Sequence, residues 1–108
     1  MSYPVFDRSQ LQVKPLAERQ HDMHLEDVLP LDVAIPEFFD PALEMTAQRI
    51  INARSRGAAV IVMMGAHVIK QGMSRFVIEL LKENYVTHFA LNGAGAIHDY
   101  ELALVGGT

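Results

Sequence analysis

Apolar residues fall into regular periods from residue 40 onward and show no sustained period before it. Leu43, Ala47, Ile50 and Ile51 share one face at helical spacing. Asp40 is placed to cap that helix, with Pro41 at its first position, where a missing N–H costs nothing. Gly57 can close it in a left-handed conformation. Residues 58–64, AAVIVMM, form a continuous apolar run of strand length. Without polar alternation, such a run predicts a strand buried on both faces, as in the middle of a parallel sheet. After GAHVIKQG, apolar side chains recur at Met73, Phe76, Val77, Leu80 and Leu81, with Ser74 near the start. That stripe predicts an amphipathic helix ending near Asn84. Residues 86–91, VTHFAL, read as a second strand, and 97–105 as a third helix stopped by Gly106-Gly107.

The order helix, strand, helix, strand, helix implies two parallel strands joined by a right-handed crossover. The expected fold class is α/β: a Rossmann-like parallel βαβ unit, part of a doubly wound sheet. Two strands leave two exposed edges, and the chain stops after a helix, where a third strand is expected. The expectation is therefore a partial domain of this type over 41–108, truncated at its C-terminus or completed by a partner.

Residues 1–40 form a different region. All five prolines lie at or before Pro41 and all seven glycines at or after Gly57. Proline disfavours helix at the residue before it, so this arm should run mostly extended, with one short helical turn. Its many apolar side chains, among them Val5, Phe6, Val13, Phe38 and Phe39, suit an arm that packs across its own domain or a partner subunit. Residues 1–44 carry nine acids and three bases, whereas 45–108 carry four acids and six bases.

The net charge of −4 provides no basic footprint for nucleic acid or an anionic membrane. The chain lacks cysteine, and its first residues form neither a basic nor an apolar leader. A soluble, cytoplasmic protein is the expectation, with no membrane span.

In open α/β sheets, ligands bind beyond the carboxyl ends of the strands. Both predicted strands end in small residues there: Gly65-Ala66-His67, and Asn92-Gly93-Ala94-Gly95-Ala96. Glycine lets a backbone approach a ligand, and a following helix N-terminus offers free N–H groups to phosphate. The string Gly93-Ala94-Gly95-Ala96-Ile97-His98 lacks the third glycine of the dinucleotide fingerprint, so a plain turn between strand and helix stays open. His67 and His98 fall past the strand ends and can hydrogen-bond a ligand or move a proton; a helix-start hydrogen bond is the alternative. Asp99 is expected in the first helical turn, where the dipole favours an acid. His88 reads as a core or edge residue and Lys70 as a solvated loop lysine. His21 and His24 have i, i+3 spacing but no further ligand set, so no metal site is expected.

Taken together, GAHVIKQGMSRFVIELLKENYVTHFALNGAGAIHDYELALVGGT resembles the first βαβ region of the deoxyhypusine synthase family, particularly its bacterial synthase-like members. The resemblance covers roughly residues 58–108. It rests on Gly65-Ala66-His67, Gly72, the stripe from Met73 to Leu81, the valine-led strand, Ala94-Gly95 and His98-Asp99. It implies a Rossmann-like NAD-binding fold in a homotetramer. In that family, NAD takes a hydride from spermidine, and an active-site lysine passes the aminobutyl group to a protein lysine. Gly65, Ala66, His67, Asn92, Gly93, Ala94 and Gly95 would then line the NAD site, with Asp99 as a cofactor-contacting acid and His98 as the candidate catalytic residue. His67 stands where synthases carry asparagine, and His98 replaces the first acid of a pair. The family's catalytic lysine lies beyond the region of resemblance, and bacteria lack the usual protein acceptor, which leaves another amine open. Two other readings stand beside this one: an NAD-dependent amino-acid enzyme of ornithine cyclodeaminase type, and a non-catalytic assembly module.

Overall fold

The computed structural model describes residues 3–108. Helix α1 (Pro41–Ser55) begins where the cap predicts: the Asp40 carboxylate accepts the Ala42 N–H at 2.8 Å, and Pro41 opens the first turn. Such a cap contributes about 1 kcal/mol. Gly57 follows with φ 64°, in the left-handed conformation that lets the chain turn away. Strand β1 (Ile61–Met64) comes next, then α2 (Ala66–Lys70), α3 (Ser74–Lys82), β2 (His88–Leu91) and α4 (Gly93–Val105). The two strands pair in parallel, Ile61 with His88 through Met64 with Leu91. The result is a mixed α/β chain with a small two-stranded parallel sheet.

Four expectations for the region after residue 40 need correction. GAHVIKQG is not simply a loop: five of its residues form α2, so Lys70 sits in a last helical turn, 3.3 Å from the Asp22 carboxylate. The strands are shorter than their apolar runs. Ahead of β2, the Thr87 N–H donates to the Val60 carbonyl at 2.9 Å, but the Val60 N–H goes to the Thr87 hydroxyl at 2.9 Å, so a side chain takes the place of a backbone acceptor. Helix α4 starts at Gly93, four residues before the expected start, because the Asn92 side chain accepts the Gly95 N–H at 2.9 Å. That cap offsets glycine's poor helix propensity in the first turn.

The fourth correction concerns burial. β1 was expected to be buried on both faces, but only one face is covered. Met64 packs against Met23, Ile69 and Leu102, which come from the arm, α2 and α4. The opposite face leaves Ile61 62% and Met63 82% exposed. No described helix forms a layer there, so the strand is half-buried despite its continuous apolar sequence.

The arm divides in the same way. Around Met23 it is anchored: the amides of Asp22 and Met23 donate to the Thr108 carbonyl at 2.9 and 3.1 Å, and the Thr108 N–H returns to the Met23 carbonyl at 2.9 Å. Leu29 donates to the Gly72 carbonyl at 3.0 Å. Three short 3-10 turns, at Arg8–Gln10, Leu16–Glu18 and Leu25–Asp27, replace the single expected turn. Val5, Phe6, Val13, Phe38 and Phe39 remain exposed rather than packed across the domain.

Gly72 is the tightest junction between arm and body. Its φ is +75°, and a Cβ there would stand 2.6 Å from the Asp27 carbonyl oxygen and 3.1 Å from the Leu29 nitrogen. Gly57 has a similar φ of +64°, but no described atom lies within 4 Å of its Cβ position. Left-handed backbone costs a non-glycine residue roughly 1–2 kcal/mol. Gly57→Ala should lose about that amount in chemical denaturation. Gly72→Ala should lose clearly more, because the arm must also shift; equal losses would show that the arm contact adds nothing.

Candidate functional site

Because Met64 pairs with Leu91, the chain leaves both strands at the same end. Gly65 caps α2 and Asn92 caps α4, so two helices begin side by side beyond the sheet. The strand ends border a depression of about 410 Å³, lined by Met63, Met64, Gly65, Ala90, Leu91 and Asn92. The predicted small residues do meet here. A Cβ on Gly65 would touch the Asn92 side-chain nitrogen at 3.4 Å, and one on Gly95 would lie 3.7 Å from the Gly65 carbonyl carbon and 3.2 Å from Leu91 Cδ2. Gly95 is buried by this packing.

Gly93 differs. Among the described residues, no atom lies within 4 Å of its Cβ position. As the first residue of α4, it shares with Ala94 the amides that have no helical acceptor. The Asn92 cap takes up the Gly95 amide, leaving those two as the donors at the start of α4, directly after Asn92, which lines the depression. Ala66 and His67 open α2, with Ala66 half-buried and His67 exposed.

His98 and Asp99 are not part of this cluster. With α4 starting at Gly93, Asp99 is its seventh residue rather than a first-turn acid. It borders a separate groove of about 390 Å³ with Leu25, Val28, Ser74, Arg75 and Ile78. His98 Nδ1 lies 2.5 Å from the Thr108 hydroxyl, which donates to Glu101 Oε2 at 2.5 Å. A hydroxyl has one proton to give, so His98 must donate to it, which places the imidazole proton on Nδ1. Arg19 grips the same carboxylate through two nitrogens, at 2.6 and 3.2 Å. His98 is therefore held by a chain of hydrogen bonds that ties the arm to α4 and to Thr108.

The remaining histidines sit elsewhere. His88 is exposed, with Nδ1 2.9 Å from the Thr87 hydroxyl rather than in a core. The His21 and His24 rings meet edge to face at 5.6 Å, and among the described residues no group of three metal-ligating side chains occurs. No described helix is long and apolar enough to cross a membrane.

Arg19, Glu101 and Thr108 lay outside the sequence reading. Arg19 and Glu101 are 82 positions apart, and no periodicity links them. The one local signal was the His98-to-Glu101 spacing, which places both on one face of a helix. Comparison of the chain with family models, curated proteins and solved structures gave no match.

The Arg19 hydrogen bonds, followed by the one from Thr108, hold the Glu101 carboxyl down at about 2, against an ordinary 4.5. A carboxylate with a depressed folded-state pKa contributes stability that is complete above the unfolded value. That contribution should fade as pH falls from about 4.5 toward 2. Glu101→Gln should flatten this acid limb in thermal melts recorded against pH, and an unchanged limb would remove Glu101 as its source.

Proposed function

We propose that this chain is the NAD-binding portion of a deoxyhypusine synthase-like transferase, with a Rossmann-like βαβ unit as its cofactor platform. The observation that supports it is the meeting of Gly65, Asn92 and Gly95 beyond two in-register parallel strand ends, with the Gly93 and Ala94 amides directly after Asn92 at the start of α4. A ligand's pyrophosphate suits such a place, since first-turn amides and the positive end of a helix dipole both favour anionic oxygens. The depression, about 410 Å³, falls within the range of small-molecule sites. It fits one part of a dinucleotide, so the rest would lie over the adjoining start of α2, near His67.

The residues divide by role. Gly65 and Gly95 allow the two helix starts to approach, Asn92 fixes the first turn of α4, and Gly93 and Ala94 supply donors. Asp99 borders another groove, so it has no place in this reading as a cofactor contact. His98 is a positioning residue here, because Thr108 and Glu101 take up its ring. When bound, NAD would supply hydride transfer. The polyamine donor, the amine acceptor and the homotetramer rest on the resemblance alone.

The test separates binding from folding. Gly95→Asp would confound them, because its side chain would enter the packing against Leu91 and Gly65. Gly93→Asp adds a carboxylate where there is space. An acid in the first turn should stabilise α4 by about 0.3–1 kcal/mol while repelling phosphate. Calorimetric titration of NAD should give saturable binding to the chain and at least a tenfold loss in Gly93→Asp, with its melting temperature undiminished. No saturable binding to the unaltered chain, or equal binding by the variant, would overturn the proposal.

A further inference from the structure

The chain carries six methionines, and two of them stand side by side on β1. In a strand, consecutive side chains project from opposite faces of the sheet. Met64 takes the inner face, where it packs against Met23, Ile69 and Leu102. Met63 takes the outer face, in register with Ala90 of β2, and is 82% exposed. No other described methionine is as open: Met45 on α1 is 49% exposed, Met73 is half-buried and Met23 is buried.

Placement gives that exposure a consequence. Met63 and Met64 both line the depression of about 410 Å³ at the strand ends, with Gly65, Ala90, Leu91 and Asn92. None of these residues is charged, so the walls are apolar apart from the Asn92 amide and the backbone. A thioether suits such a wall, because it is apolar and polarisable. Its sulfoxide does not: the added oxygen is polar and only accepts hydrogen bonds.

We propose that Met63 is a site of reversible oxidation by hydroperoxides, and that its sulfoxide closes the strand-end depression to an anionic ligand. The thioether sulfur attacks the protonated oxygen of the peroxide. An S–O bond forms as the O–O bond breaks, the sulfur is oxidised by two electrons and the peroxide is reduced by two. The departing oxygen takes up the proton of the attacked one and leaves as water or an alcohol. The new oxygen carries partial negative charge. It repels phosphate oxygens approaching the start of α4 and interrupts the apolar wall beside them. This closure rests on the cofactor reading above, whereas the oxidation does not. Met63 lies outside the core cluster, so its conversion leaves the fold in place. The same reaction at Met64 or Met23 would put a polar oxygen into that cluster and unfold it. Strand alternation thus sets an oxidisable surface residue one position from a structural one.

Hydrogen peroxide is added to the folded chain, and sulfoxide at each methionine is followed by peptide mass spectrometry. Met63 should oxidise roughly fivefold or more faster than Met23 or Met64. Calorimetric titration of the protein oxidised at Met63 should give NAD a Kd weaker by roughly fivefold or more, with an unchanged melting temperature. Methionine sulfoxide reductases, one for each epimer, should restore the original Kd. Met63→Gln should imitate the sulfoxide without peroxide, and Met63→Leu should show one affinity before and after peroxide. Met45→Leu removes the next most exposed thioether and should leave the response intact. Oxidation of Met23 or Met64 as fast as that of Met63 would overturn the assignment of the site. Equal NAD binding before and after Met63 is oxidised would overturn the closure alone. A reduced chain that binds no NAD would remove the cofactor reading, and the closure with it.

Discussion

A two-stranded sheet can bury one face only if something closes the core on that side, and here a methionine from the N-terminal arm does so. Met23 is buried with Ile69 of α2 and Leu102 of α4, and Met64 of β1 packs against them. Among the described residues only four apolar side chains are buried, so losing one would remove much of the core. Met23 cannot be held by its side chain alone, because the arm around it forms only a β-bridge at His24 and a short 3-10 turn. It is held by backbone hydrogen bonds to Thr108, by the Leu25 amide on the Gly106 carbonyl at 3.0 Å, and by Arg19 on Glu101. The end of α4 and the arm therefore stabilise one another, and Gly106, with φ 73°, turns the chain so that they can meet.

That dependence explains which parts of the fold were legible in the sequence. Local signals were read correctly where one residue's chemistry decides the outcome. The Asp40-Pro41 start and the Gly57 stop of α1 are set by capping and left-handed backbone, and the apolar stripe from Met73 to Leu81 identifies α3. α2 gives no signal because five residues are too few to show a period. Burial of the strands was misjudged because a continuous apolar run reports what a strand could bury, not what the rest of the chain brings to it. The same limit applies to the arm. Its apolar content is plain, but only the pairings of Met23 with Thr108 and of Leu29 with Gly72 single out the part that packs, and both contacts join residues far apart in the chain.

The candidate site shows the same division. Its glycines and asparagine were visible as small residues after strands, and they do come together. His98 and Asp99 belong to the same site only if α4 begins at Ile97. Starting it at Gly93 places the two residues about a full turn further along the helix, where His98 meets Thr108 and Asp99 faces the groove beside Arg75. Asn92, placed three residues before Gly95, was the signal for the earlier start.

The missing third glycine of the Gly93-Ala94-Gly95 string can now be weighed physically. In the dinucleotide fingerprint, that glycine lets the helix pack closely against the strand. Here the close approach is made by Gly95, whose Cβ position lies 3.2 Å from Leu91 Cδ2 and 3.7 Å from the Gly65 carbonyl carbon. His98 occupies the fingerprint's third position, but its ring engages Thr108 and Glu101 and takes no part in that contact. A glycine there would add no closeness and would cost the hydrogen bond to Thr108. The absence of the third glycine therefore says little about whether a phosphate can reach α4. The open space around Gly93, left beside a helix start already fixed by Asn92, bears on that question directly.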